Sequence, residues 1–324
     1  MPRPLIEALA LLPYPLTSLV IGGTSGIGAG LAIALAQHPN GQSHVIIAGR
    51  REDAGAAVCK TANAKAPARS ADQEACTRFM KLDASLMRNI RTFCAQLQTE
   101  LTSQKRWINV LVLSQGILQF TRHDTAEGIE IVFALNYYGR MFFVRELTAL
   151  GLLSPQCLVL NILNGRAGDP SGKTVDWNDI GMRRTGIVQS IKQNFALSDI
   201  MIQDLGVEQQ AGTSGERMTF VHDFPGHVRS DLTRNMNVLL KGFFAISEFF
   251  NRRLVDIEPA GEIILAGGVE YRRKTGSGLE EKAYWYIDEK GEEIVKAVSG
   301  EEARRKVREH TWEVVDRALD WDLK

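Results

Sequence analysis

The sequence predicts an α/β fold built on a doubly wound parallel sheet of about seven strands, with helices on both faces. Two observations predict this fold. Short apolar runs rich in β-branched residues alternate with longer amphipathic stretches over most of the 324 residues, as in right-handed βαβ units. Most of the runs are continuous rather than alternating with polar residues, which is expected for strands covered on both faces.

The elements follow one another in a regular order. Strands are predicted at 18–21, 44–48, 79–82, 110–113, 158–162, 218–221 and 263–265. Helices are predicted between them at 26–37, 51–64, 86–102, 128–150, 188–205 and 235–254. We therefore expect an N-terminal lead (1–14) with a short helix over 5–12, one sheet-containing domain (15–268) and a C-terminal extension (269–324) packed on it.

The extension has its own local signals. The segments Ala283–Ile287 and Glu292–Val298 flank an Asp-Glu-Lys-Gly sequence and predict a hairpin or a strand and turn. Ser299 lies three residues before Glu302, the spacing of a capping box. We therefore expect Ser299 to cap a helix that runs to about Leu319, with one apolar face against the domain.

Composition excludes several classes of partner. The chain has 38 Lys and Arg against 38 Asp and Glu, so it offers no long-range attraction to nucleic acid or to an anionic membrane. Its four cysteines are scattered, which predicts reduced thiols and neither a metal site nor a disulfide framework. We expect a cytoplasmic protein that binds a small molecule, and the sequence leaves homo-oligomer formation open.

A glycine-rich turn follows the first predicted strand and opens a helix. It consists of Gly22, Gly23, Thr24, Ser25, Gly26, Ile27 and Gly28. Glycines at such a junction allow a tight turn and bring backbone N–H groups close to a pyrophosphate. The second strand then ends at Arg50 and Arg51, where dinucleotide-binding folds recognise the adenosine ribose. Guanidinium groups there favour a 2′-phosphate, so we expect NADP(H) as the cofactor of a Rossmann-like domain.

These motifs, and further short motifs along the chain, occur in the order found in the short-chain dehydrogenase/reductase family, which the sequence therefore resembles. The turn matches the family's Thr-Gly-x-x-x-Gly-Ile-Gly motif, with Ile21 in place of Thr. The resemblance assigns Asp83 to the adenine and Asn136 to the structural and catalytic Asn. Only Gly116 remains of the family's Asn-Asn-Ala-Gly motif. Further cofactor contacts are implied for three residues after the sixth strand: Pro225, Gly226 and Val228.

The sequence departs from the family at the catalytic residues. The family uses a Ser and a Tyr-x-x-x-Lys pair, because a donor must protonate the reacting oxygen while a cation lowers the phenol pKa. This chain has no Tyr between Tyr138 and Tyr271, and Asn164 stands at the position of the Ser. Lys192 is either the counterpart of the family Lys, with Val188 at the Tyr position, or a surface lysine early in its helix. The expected catalytic residues are Asn136, Asn164 and Lys192, with Asn136 and Lys192 also contacting the cofactor.

Several interpretations of the chemistry remain open. His222, Asp223 and His227 are alternative proton donors near the expected nicotinamide, and Tyr137 or Tyr138 is a weaker one. One possibility is a redox reaction, carbonyl reduction or alcohol oxidation. A second is a non-redox cyclisation, isomerisation or dehydration. In a third, the protein binds NADP(H) without catalysis. A substrate lid over 235–254 indicates a hydrophobic substrate, since it carries several large apolar residues: Met236, Leu239, Phe243, Phe244, Phe249 and Phe250. The long loop 165–186 and the charged tail with its Glu309–Trp312 sequence resemble divergent fungal members associated with secondary metabolism.

Overall fold

The fold is a seven-stranded, all-parallel sheet with helices on both faces. A computed structural model describes residues 3–67, 77–119, 121–184, 187–210, 216–226, 228, 255–277 and 282–321, without the side chains of 187, 188 and 210. Its strand order is β3-β2-β1-β4-β5-β6-β7, which confirms the predicted doubly wound sheet. The strands are β1 (Leu16–Ile21), β2 (Ser43–Gly49), β3 (Thr77–Lys81), β4 (Ile108–Leu113), β5 (Leu153–Ile162), β6 (Thr219–Asp223) and β7 (Tyr284–Ile287).

The helices alternate with the strands. They are α1 (Leu5–Leu9), α2 (Gly26–Leu35), α3 (Glu52–Lys65), α4 (Met87–Ser103), α5 (Ile131–Phe133), α6 (Gly139–Ala149), α7 (Ile187–Gln210), α8 (Ile257–Gly276) and α9 (Glu301–Leu319). A π-helical segment, Ala134–Tyr138, joins α5 to α6. The expected single helix over 128–150 therefore contains a local change of hydrogen-bonding pattern, a feature often found at functional sites.

Two apolar cores cover the two faces of the sheet. The first lies under α4, α6, α7 and α9, and it contains Leu111, Val159 and Phe220 from the central strands. The second lies under α1, α2 and α8, and it contains Val112 and Leu160. Successive residues of one strand enter opposite cores, as the twofold period of a strand requires. This explains why the strand sequences are continuously apolar.

Helices α2 and α8 pack with their backbones in close contact. A Cβ atom on Gly30 would lie 2.0 Å from the carbonyl oxygen of Ile257, and one on Gly261 would lie 2.5 Å from the carbonyl carbon of Gly30. Both positions therefore require glycine. This contact fixes the helix that begins at the glycine-rich turn against the second core.

The predicted strand at 263–265 is wrong. Ile263, Ile264 and Leu265 lie inside α8, whose buried residues include Ala260, Ile264 and Gly268. Their spacing follows the period of a helix, and three consecutive apolar residues alone do not distinguish a buried helix from a strand. The seventh strand is instead β7, which comes from the segment expected to form a hairpin and pairs in parallel with β6.

The rest of the C-terminal segment folds largely as the sequence indicates. After β7 the chain turns at Asp288–Gly291, and Ile287 forms an antiparallel bridge with Glu293. Helix α9 packs its apolar face into the first core. Its N-cap is Gly300 rather than Ser299, and the Ser299 side chain is buried instead. The predicted lid helix at 235–254 lies outside the described residues.

Candidate functional site

The glycine-rich turn lies at the carboxyl edge of the sheet, where β1 and β4 are neighbours and the strand order reverses direction. Gly22 has a φ of +84°, and a Cβ atom there would lie 2.4 Å from the backbone nitrogen of Gln115. A Cβ atom on Gly28 would lie 2.6 Å from the carbonyl oxygen of Gly22. The two glycines thus keep the turn tight and leave its backbone open to a ligand in the crevice, where such folds bind nucleotides.

The first turn of α2 offers backbone donors. Ser25 is the N-cap residue, and its side chain makes no capping hydrogen bond. The first N–H groups of a helix have no partner within it, and together with the helix dipole they attract anions. Thr24 packs its side chain against Gly49 at the end of β2, and Gly26 and Ile27 are half-buried at the start of α2. The turn therefore suits a diphosphate.

The arginine pair and Asp83 lie at the ends of the adjacent strands. The backbone of Gly22 donates to the carbonyl of Ala48 at 2.9 Å, which ties the turn to the end of β2. Arg50 is exposed and Arg51 is half-buried just beyond that point. Asp83 follows β3, and its Oδ1 accepts from the backbone and hydroxyl of Ser85 at 3.0 and 2.7 Å. The predicted adenosine-recognition residues therefore follow neighbouring strands.

Asn136 clamps the turn that follows β4. Its Oδ1 accepts from the backbone nitrogen of Ile117 at 3.0 Å, and its Nδ2 donates to the carbonyl of Ile117 at 3.0 Å. A Cβ atom on Gly116 would lie 2.9 Å from Asn136 Oδ1, so this position has no room for a side chain. The π-helical segment thus places Asn136 where it fixes the backbone at the carboxyl edge of the sheet.

Arg140, one helical turn beyond Asn136, is fully buried. Its guanidinium donates at 2.8 Å to the carbonyls of Leu113 and Ile162 and to Oδ1 of Asn161, and it also donates to the carbonyl of Gln115. Burial lowers the pKa of Arg140 to about 9, so the group stays charged at neutral pH. It joins the carboxyl ends of β4 and β5 and adds a positive potential there.

Asn164 lies in a turn directly after β5. Its Oδ1 and its carbonyl oxygen both accept from the backbone nitrogen of Ala167 at 3.1 Å. The residues on either side, Leu163 and Gly165, donate to the carbonyl of Asp223 at 3.3 and 3.2 Å. Because Oδ1 is engaged, the amide presents Nδ2 as its remaining donor.

The other predicted residues occupy different surroundings. Lys192 is exposed on α7. Pro225 and Gly226 follow β6. Gly226 has a φ of +69°, and its Cα lies close to the side chain of Glu289. Val228 forms a parallel bridge with Val255. His227 lies outside the described residues. Tyr137 and Tyr138 are buried, and their hydroxyls are hydrogen-bonded to Thr311 and His310 of α9 respectively.

A buried ionic network lies beneath this edge. His222 Nδ1 is 2.7 Å from Asp199 Oδ1, and Lys296 Nζ is 2.5 Å from Asp199 Oδ2 and 2.7 Å from the carbonyl oxygen of Gly168. Burial lowers the pKa of His222, against the opposing effect of Asp199. His222 is therefore neutral near pH 7, and its Nε2 has no partner among the described residues.

Asp223, the next residue, points to the other face of the sheet. Both carboxylate oxygens are buried and lack a partner in the described part of the chain. Burial, reinforced by the carboxylates of Asp288 and Glu289, raises the pKa of Asp223 well above its usual range. Asp223 thus keeps its proton to a higher pH than an exposed carboxyl group does.

The polar groups at this edge fit a bound nucleotide. The side-chain oxygen and nitrogen of Gln115 are both buried, and neither has a partner within the described residues. Buried polar atoms are nearly always satisfied, and Gln115 directly contacts the glycine-rich turn through its backbone. A ligand in the crevice can supply the missing donor and acceptor.

Sequence reasoning missed four residues of this edge: Gln115, Arg140, Asp199 and Lys296. Arg140 carries a detectable signal, because it is a single charge within the apolar stretch Tyr137–Val144 and lies four residues after Asn136, a spacing that places both on one helical face. Asp199 and Lys296 are 97 residues apart, and no local pattern connects them.

No helix in the described ranges is long and apolar enough to cross a membrane. The same residues contain no group of three His, Cys, Asp or Glu side chains arranged to hold a metal ion.

The seven-stranded parallel sheet and the glycine turn are typical of nucleotide-binding α/β proteins. The family model described as short chain dehydrogenase matches residues 17–168. Over this part the chain is similar to the short-chain dehydrogenase/reductase family.

The chain is also similar to individual proteins. Oxidoreductase AN1596 of Emericella nidulans is 29% identical over 226 residues, which is 68% of this chain and 60% of that protein. This chain thus spans about three fifths of the curated relative. A dehydrogenase/reductase from Sinorhizobium meliloti 1021 superimposes with a TM-score of 0.59 at 16% identity, over 88% of this chain and 98% of that one. The NADPH-bound carbonyl reductase from chicken fatty liver gives a TM-score of 0.56 at 14% identity, over 88% and 100%.

Proposed function

We propose that the protein is an NADP(H)-dependent oxidoreductase that interconverts a carbonyl and an alcohol on a hydrophobic small molecule in the cytoplasm, in the biosynthesis of a secondary metabolite. The observation that carries the cofactor assignment is the pair Arg50 and Arg51 at the end of β2, next to the glycine turn. A carboxylate at this position would select the 2′-hydroxyl of NAD(H), whereas guanidinium groups select the 2′-phosphate.

Each group of residues has a part in holding the cofactor. The backbone of the glycine turn and the first turn of α2 hold the pyrophosphate, Asp83 holds the adenine, and the clamped Gly116–Ile117 backbone and Gln115 lie along the crevice. Pro225, Gly226 and Val228 flank its nicotinamide end. When bound, NADPH supplies the hydride.

The chain must stabilise the charge that develops on the substrate oxygen. Asn164 Nδ2 is a donor at the end of β5 and can polarise a carbonyl, but an amide does not deliver its proton readily. The positive field of Arg140 beneath the same edge favours the developing anion. Lys192 is the residue assigned to the nicotinamide ribose. The proton then comes from an acid other than the family's tyrosine, and Asp223, whose pKa is raised by burial, is a candidate at this edge.

Calorimetric titration with NADPH and NADH tests the cofactor assignment. We expect NADPH to bind more tightly and Arg50→Ala with Arg51→Ala to weaken NADPH about 10- to 100-fold, because a hydrogen bond to a charged group contributes roughly 1.5–3 kcal/mol. Binding of NADH should change little. Arg305→Ala is the matched control, since it removes an exposed guanidinium of α9. Equal affinity for the two cofactors would refute the assignment.

A second function deserves a test because α7 contains no tyrosine and Asn164 replaces the serine. An active site that only positions a reactive molecule can still catalyse cyclisation, isomerisation or dehydration. The near-ultraviolet absorbance of NADPH during turnover separates the two. Its loss in proportion to product indicates reduction. Product formed without net loss, and without transfer of deuterium from labelled NADPH, indicates the non-redox reaction. Tight NADPH binding without any turnover would favour a non-catalytic role.

A further inference from the structure

A cavity of about 260 Å³ lies apart from the crevice, between α9, the start of α5 and the turn at 177–183. We call it the α9 pocket. None of the residues assigned to the cofactor or to catalysis lines it. The proposed function does not use it, so its chemistry can be considered independently.

The base of the α9 pocket consists of two bonded aromatic side chains. The Tyr138 hydroxyl lies 2.8 Å from His310 Nε2, and the two ring centroids are 6.1 Å apart. Burial lowers the pKa of His310 and raises that of Tyr138, so both are neutral near pH 7. Phe133 and Trp177 add apolar wall. The pocket therefore presents a flat aromatic surface to a ligand.

The charged side chains of the pocket balance in number, three arginines against three carboxylates, but they differ in how far they are already paired. Two of its three carboxylates are engaged by backbone donors. Glu130 accepts from the nitrogens of Val132 and Phe133 at 2.9 and 3.1 Å, and Asp179 accepts from those of Arg183 and Arg184 at 2.9 and 2.8 Å.

The remaining charges face the pocket. The Arg183 and Arg317 guanidiniums line it, and neither makes a hydrogen bond or ion pair with another described residue. Glu313 is the remaining carboxylate, and Arg122 already donates to the carbonyl of Met182 at 3.0 Å. Two guanidiniums with free hydrogen-bond donors therefore face the pocket beside one carboxylate, Glu313, and these donors favour an anionic ligand.

The walls are fixed before any ligand arrives. Met182 has a φ of +53° and a buried side chain in the first core, and Asp179 holds the backbone of the following two residues. A residue other than glycine adopts this conformation only where the surrounding structure enforces it. A preformed pocket loses little entropy on binding.

We propose that the α9 pocket binds a small organic anion, a carboxylate on a flat apolar body. Its carboxylate pairs with Arg183 and Arg317, and its body packs on Trp177, Phe133 and Tyr138. This is a second small-molecule site, distinct from the nucleotide crevice.

Calorimetric titration with benzoate, benzamide and acetate tests the proposal. We expect benzoate to bind at least tenfold more tightly than either of the others, because benzamide lacks the charge and acetate lacks the ring. Arg183→Ala with Arg317→Ala should weaken benzoate at least tenfold. Arg305→Ala, an exposed arginine on the same helix outside the pocket, should bind as the wild type does. Unchanged melting temperatures establish that the variants are folded.

Saturating NADPH should leave benzoate binding in place. Three results would overturn the proposal: no binding of benzoate, equal binding by the double variant, or displacement of benzoate by NADPH. A failure to bind NADPH would contradict the proposed function but would leave the benzoate experiment interpretable.

Discussion

Asn136→Ala removes the clamp that holds the turn after β4. Two hydrogen bonds of 3.0 Å to the backbone of Ile117 are lost, and Asn136 is only 8% exposed. Each bond contributes about 1 kcal/mol, and leaving partly buried backbone groups without partners adds to the cost. We expect a loss of about 2–4 kcal/mol in the free energy of unfolding and a melting temperature lower by roughly 5–10 °C.

The same substitution should weaken NADPH binding. In the variant, the backbone at Gly116 and Ile117 must be ordered when the cofactor binds. If this ordering costs about 1.5–2 kcal/mol of binding free energy, the Kd rises about 10- to 30-fold. Calorimetry measures both quantities. Asn109→Ala is the matched control, because it removes a single 2.9 Å bond to Thr17 at the amino edge of the sheet. A melting temperature that falls while the NADPH Kd stays within about twofold of wild type would refute the functional part of this reasoning.

Three further outcomes are expected. Arg140→Met should lower the free energy of unfolding in urea by about 3 kcal/mol or more, since it leaves buried carbonyls without donors; a change under 1 kcal/mol contradicts the buried network. Asp223→Asn should raise the melting temperature at pH 7–8 but not at pH 4. The raised pKa means that the native state holds a proton which the unfolded state releases, so wild-type stability falls as pH rises above about 4; parallel pH profiles would exclude this. Gly30→Ala should destabilise by about 1–3 kcal/mol because its Cβ meets backbone, whereas Gly276→Ala, with open space around it, should be close to neutral in the same urea titration.

Periodicity predicted six of the seven strands, because buried parallel strands produce continuous apolar runs with clear boundaries. It failed at Ile263–Leu265, where a buried helix produces a similar run. The glycine turn was predictable because its chemistry is local. The hydrogen bonds from Arg140 to the ends of β4 and β5 were not predictable, because they depend on the register of two strands that are distant in sequence. The sheet pairs Val110 with Leu158, for example. Whether Asn164 and Lys192 act in catalysis stays a prediction.

The position of β7 has a consequence for synthesis of the chain on the ribosome. Among the described residues, those that cover the outer edge of β6 are 284–287, which are made about 60 residues after β6 itself. Until then β6 exposes unpaired backbone groups, a template for association with other nascent chains. Expression of a chain shortened before β7 should therefore yield aggregates rather than a smaller folded domain, and chaperones that shield strand edges should matter most at that late stage.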